Sequence, residues 1–307
     1  MRRATFALLG ILAVAALSGC GDCDDGPPGA SAPALAVTVR DAGAEPRQPL
    51  RYALTAGTRR SYRLSQAMTM SMASLPKPME TRTKSTLDLE VVSVAADGSA
   101  DVRSTASAST LEGLGDSGTP ARVPGVRSRM RMTARGEMRD VELEYDTKDV
   151  DPETRKRLEG MASGMKESLQ RAAVLLPEVP VGVGARWTLA GTASAMGLTF
   201  DTSADVVLLS RDGDVATFET TMTMRAGAQS FTPPGSPRTI EVTSAEASGT
   251  SKMTVDLRAA GSTGTASMKL KMAMKAGKVP AKDGVPPLEI PPIDLDATIE
   301  QTIERAD

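Results

Sequence analysis

The chain has 307 residues, a formal net charge of −2, no histidine, two cysteines and 3% aromatic residues. Lys and Arg are dispersed rather than banked, and so few rings build no base-stacking platform, which excludes nucleic acid as a main partner. Without histidine there is no Ser-His-Asp or Cys-His arrangement, no histidine-based zinc site and no ordinary near-neutral general base.

Met1-Arg2-Arg3 opens a short apolar run from Phe6 to Leu17 that ends in Leu17-Ser18-Gly19-Cys20. A positive start, a short apolar core and small residues before a break describe a secretory signal; a membrane span needs about 20 apolar residues. The Leu-Ser-Gly-Cys ending resembles the lipobox of bacterial lipoproteins at every position. That resemblance implies cleavage before Cys20, diacylglycerol on its sulfur and acylation of its new amine, so residues 1–19 are a signal peptide. Several buried acyl chains hold a protein stably at a bilayer, whereas one binds marginally. Gly21, by resemblance to sorting in Gram-negative lipoproteins, favours the outer membrane. Cys23 then stands alone near the membrane, with no partner for an intramolecular disulfide.

Residues 20–49 are rich in Asp, Gly, Pro and Ala and read as a flexible tether, too poor in apolar groups to offset ordering entropy. Strict alternation follows in a first β unit, residues 50–150. Tyr62, Leu64, Met68, Met70 and Met72 share one face, with Arg63, Ser65, Thr69 and Ser71 on the other. Between 151 and 176 the period changes: Leu158, Met161, Met165, Leu169, Ala173 and Leu176 recur at three and four, after a capping Asp151 and Pro152 and before Pro177. One amphipathic helix is predicted there.

Alternation resumes in a second β unit, residues 177–278. Phe218, Met222 and Met224 oppose Glu219, Thr221, Thr223 and Arg225, and Met268, Leu270, Met272 and Met274 oppose Lys269, Lys271 and Lys275. Period two with one polar face means antiparallel strands, and Asp97-Gly98 and Asp212-Gly213 suit their turns. The units share landmarks in one order. Gly57 to Leu64 parallels Gly184 to Leu189, Val91 to Gly98 parallels Val206 to Gly213, and 127–145 corresponds loosely to 252–274. Residues 279–307 are a proline-rich segment followed by a short predicted helix near 296–305, with Ile299 and Ile303 on one side.

The expected fold is therefore mainly β: a large curved antiparallel sheet, half-barrel or sandwich, from two similar β units with one helix between them. No phosphate-cradling loop, metal-ligand spacing or catalytic constellation is present, and Glu142 and Glu144 read as a solvated strand face. No enzymatic activity and no cofactor are expected. The compositional peculiarity is 17 methionines. Soft thioethers can hold Cu(I), but sulfurs two residues apart on a strand are nearly 7 Å apart along the backbone, and core positions are where apolar residues belong. Flexible, polarisable Met also suits a surface that takes varied apolar ligands. Met68, Met70, Met72, Met222, Met224, Met268, Met272 and Met274 are the candidate lining of such a surface. The expectation is an envelope lipoprotein, at the outer membrane and facing the periplasm or cell surface. It either binds a lipid or another hydrophobic ligand between sheet and helix, or serves as a scaffold for an envelope protein around a closed core. The first arrangement has only an architectural analogy to periplasmic lipid and lipoprotein carriers.

Replacing Cys20 with Ala should leave an unprocessed precursor or release the protein to the soluble fraction. Membrane fractionation with metabolic acyl labelling checks this, and a mature lipid-bearing C20A protein would contradict the anchor.

Overall fold

A computed structural model describes residues 35–306, apart from 74–75, 114–120, 149, 196–197, 232–239 and 277–291; within 153–173 it describes Arg155, Leu158, Lys166 and Leu169. The described strands form one antiparallel sheet that does not close into a barrel. The signal peptide, Cys20 and Cys23 lie outside the described residues.

The first unit contributes β2 (Arg59–Met72), β3 (Met79–Val94), β4 (Ala100–Ala106), β7 (Val126–Met132) and β8 (Met138–Tyr145), side by side in chain order. Short β5 (Ser109–Glu112) and β6 (Ala121–Val123) extend β3 off this path. The second unit contributes β9 (Arg186–Ala195), β10 (Leu198–Asp212), β11 (Val215–Ala226), β13 (Ile240–Asp256) and β14 (Gly261–Ala276), again in chain order, with β12 (Gln229–Phe231) flanking β13. Gly98 and Gly213 take positive φ at the corresponding β3–β4 and β10–β11 turns, as Asp-Gly pairs there require.

Two strands depart from the sequence reading. The predicted C-terminal helix is instead β15 (Ile293–Arg305), paired on one side with β14 and on the other with β2. Ile299 and Ile303 are four apart, a spacing common to one turn of helix and two strand repeats. The full alternation Leu295, Ala297, Ile299, Gln301, Ile303 belongs to period two, and Asp294, Asp296, Glu300 and Glu304 are exposed between them. The tether also ends earlier than expected: β1 (Ala36–Asp41) pairs with β9, and Gln48 bridges Val181. Val37 and Val39, in a composition otherwise poor in apolar groups, supply the half-buried positions that pack it on the core. β1 thus stands beside β9 as β15 stands beside β2. Of the proline-rich stretch 279–292, only Pro292 is described.

In the predicted helix, Pro152, Arg155, Leu158, Lys166 and Leu169 are helical; the Arg155 amide donates to the Asp151 carbonyl at 2.9 Å. Leu158 is buried and Leu169 packs on the main core, while Arg155 and Lys166 are exposed. The other residues of that reading up to Ala173, Met161 and Met165 among them, lie outside the described set.

The main core joins both units. Val91, Val102, Met130, Met132 and Val141 of the first meet Trp187, Val206, Leu208, Phe218 and Val255 of the second, with Leu50, Tyr52, Leu54, Leu175 and Leu176 between them. The segment around Tyr52 is hydrogen-bonded to both sides: its amide donates to Ala134 at 2.8 Å, and that of Ala53 to Leu257 at 2.8 Å. The Trp187 indole donates to the Leu175 carbonyl at 3.0 Å and meets Phe218 edge-to-face at 6.0 Å. Gly136, at φ +92°, has no room for a side chain, since a Cβ there would come within 2.8 Å of the Tyr52 ring and of the Val174 carbonyl. Burial pushes the Tyr52 phenol above its ordinary pKa.

Ile299→Asp should place an unpaired carboxylate in a buried position between β14 and β2 and destabilise the protein by at least about 3 kcal/mol. Glu300→Gln, on the exposed face next to it, should change stability by less than about 0.5 kcal/mol. Urea unfolding of the two variants measures the contrast.

Candidate apolar site on the inner face

Register turns single-strand alternation into rows that run across the sheet. One row is Ala204, Met222, Gly249, Met268, Ile299, Met68 and Thr81, on β10, β11, β13, β14, β15, β2 and β3. The next is Thr202, Met224, Ala247, Leu270, Ala297, Met70 and Met79. A third holds Ala226, Ala245, Met272, Leu295 and Met72. Met274 stands opposite Val242 on one side and Ile293 on the other. All eight methionines singled out from sequence therefore share one side of one sheet.

Their burial is graded. Met68, Met224 and Met272 are buried, whereas Met70, Met72, Met222, Met268 and Met274 are half-buried. Met222 touches both the main core and a second cluster built on Leu198, Phe200, Met224, Val242, Leu270 and Met272. A small third cluster holds Met68 and Ile299, with Met268 against it.

Sequence reasoning missed Met79, which faces Met70 directly across β2 and β3. The β2–β3 hairpin register would have found it, because that register alone decides which residue of β3 opposes Met70. In the three rows thioethers mostly alternate with aliphatic residues. Met68 and Met268 have Ile299 between them, and Met72 and Met272 have Leu295, so these sulfurs sit two strand spacings, about 9.6 Å, apart at the backbone. Such a pattern favours an apolar lining over an ion cage. No group of three or more carboxylates or cysteines among the described residues is placed to hold a metal.

The same strand segments carry opposite chemistry on their outer side. There Arg59 donates to Glu90 through Nε at 3.1 Å and through a terminal nitrogen at 2.7 Å, and Arg103 reaches the other Glu90 oxygen at 3.3 Å. The Ser61 hydroxyl donates to Asp88 at 2.5 Å. These groups line a cleft of about 390 Å³. The hydrogen bond from Arg59 holds the Glu90 carboxyl below its ordinary pKa, and one from Ser93, with Arg131, does the same for Asp101. Stability contributed by these exposed carboxylates is present above the ordinary carboxylate range and is lost as pH falls through their lowered values. Within the cleft Glu90 is paired with both Arg59 and Arg103. Glu142 and Glu144 face Arg129 and Arg127 across β7 and β8 on this outer side.

No known family model matches the chain, and no curated protein matches it.

Mild peroxide should oxidise Met70, Met72, Met222, Met268 and Met274 in the folded protein before Met68, Met224 and Met272, which should resist until unfolding. Peptide mass mapping over an oxidation time course reads the order directly.

Proposed function

We propose that this protein is a lipid-anchored, non-enzymatic envelope lipoprotein that holds a lipid or another hydrophobic ligand against the methionine-rich inner face of its sheet. The observation that carries the reading is the set of apolar rows across β11, β13, β14, β15 and β2, five adjacent strands whose inward positions carry charge only at strand ends, at Arg60 and Arg305. Methionine suits the task because its three torsions and polarisable sulfur let one surface follow differently shaped apolar partners. The half-buried state of five of the eight methionines supports an accessible lining. The lipobox supports attachment through Cys20, and Gly21 supports the outer membrane, with the domain facing the periplasm or cell surface. The matching strand order of the two meanders supports an origin by internal repetition.

A second reading is a scaffold for an envelope protein, with a closed, ligand-free core. Burial of Met68, Met224 and Met272 to 8%, 4% and 3% exposure favours it.

Native mass spectrometry of the full protein, purified from its host membrane and released from detergent in the gas phase, separates the two. The carrier reading expects a bound lipid beyond the acyl groups on Cys20, and protection of the half-buried methionines from peroxide when that lipid is present. Bare protein in every preparation, with oxidation rates indifferent to added lipid, would leave the scaffold.

A further inference from the structure

The inner face carries charge only at strand ends, and between them it is not wholly apolar. Between the main core and the methionine rows runs one more row across the sheet: Thr220, Ser251, Ala266, Gln301, Gln66 and Thr83, on β11, β13, β14, β15, β2 and β3. Polar side chains thus occupy inward positions on five strands at the same height, with a methyl group on the sixth. Gly264 and Gly249, in the rows immediately on either side, bring no side chain to that face.

Gln301 is the telling member. It is 8% exposed, in the central strand of the sheet, and among the described residues its side-chain amide has no hydrogen-bond partner. Its neighbours differ: Gln66 and Thr83 each have an interaction partner. A primary amide offers two donors and an acceptor with two lone pairs, so one that stays unmatched and still reachable on an otherwise apolar face is open to a ligand's polar group. Nothing in the alternation requires Gln at this position, since Ile299 and Ile303 hold the places before and after it. A second unmatched group stands two rows away, where Thr202 Oγ1 is buried without a partner beside Met224.

We propose that Gln301 and the polar row around it form the headgroup site for a neutral amphiphile, whose apolar body lies on the methionine rows. This inference rests on the carrier reading above and narrows it to a ligand class. The row supplies amide and hydroxyl groups, which donate and accept, and no cation to match an anionic head. Along β11, β13, β14 and β3 every inward residue is uncharged, and on β10, β2 and β15 the inward charges, Arg211, Arg60 and Arg305, sit at the strand ends. Arg60 there lies 3.9 Å from Asp256. A carboxylate or phosphate on the row would be desolvated without a counter-charge, which is far costlier than burying a hydroxyl or ester that Gln301 can bond. The ligand chemistry that fits is therefore a long apolar chain or ring system with an uncharged hydroxyl, ester or amide head.

Photocrosslinking of the full chain tests this with two probes of one chain length, a diazirine-bearing monoacylglycerol and the corresponding diazirine fatty acid at pH 8. The expected result is saturable labelling of β11, β14 and β2 peptides by the monoacylglycerol, with the fatty acid at least about tenfold weaker. Gln301→Leu, close in volume, should raise the half-saturating monoacylglycerol concentration by up to about tenfold, the scale of one lost hydrogen bond, with the circular dichroism spectrum unchanged. If neither probe labels the inner face, the carrier reading itself fails. Equal labelling by both probes, or full-strength labelling of a folded Q301L protein, would overturn the headgroup assignment and leave the carrier reading standing. Should Q301L not fold, the comparison of the two probes on the wild-type chain decides alone.

Discussion

The continuity of the sheet depends on β15. Without it, β14 and β2 would each present a long row of unpaired backbone groups, and the two meanders would be separate sheets with exposed edges. Strand pairing satisfies every backbone group of β15 that points sideways, so its insertion removes two edges at once. Its inward residues are moderate in size (Leu295, Ala297, Ile299, Gln301, Ile303), and its outward ones are polar or charged. Such a strand is stable only between partners that share this division, and β14 and β2 both do.

Once the sheet is one body, a single rule governs its chemistry. Away from the strand ends, side chains of one parity look inward and are apolar or neutral; those of the other look outward and include paired charges such as Arg59 with Glu90. At one end of the inner side the two units pack on each other through Tyr52, Leu175 and Trp187, which closes a dry core. Towards the other end the rows of methionine take over.

Much of this was legible in the chain. Alternation in 62–72, 218–224 and 268–274 gave each strand's apolar face, and because the period is two, each correct strand placed its methionines on the correct side without knowledge of the partners. The helix is confirmed where it is described, through burial of Leu158 beside exposed Arg155. What could not be read was pairing between distant segments. The spacing of Ile299 and Ile303 fits two periods, and the preference for strand comes from β14 and β2, some 30 and more than 200 residues away in sequence. Likewise Val37 and Val39 lie in a segment of tether-like composition, and it is the free edge of β9 that makes them a strand. Gln301 was hidden for the same reason: as part of a predicted helix it had no row to belong to.

The polar row also bears on cooperativity. On β11 and β13 it falls between main-core residues, Phe218 and Val255, and the cluster that holds Met224 and Ala247. Apolar coupling across that band of amides and hydroxyls runs through Met222, which packs on both clusters, so it is thin there. The two ends of these strands are then separate units of local opening despite their shared backbone ladders. Amides of β11 and β13 beyond the row should then exchange with solvent through an opening that leaves Trp187 packed, and those on the Trp187 side only when the whole fold is lost. A long strand in this protein has two stabilities, one on either side of its polar residue.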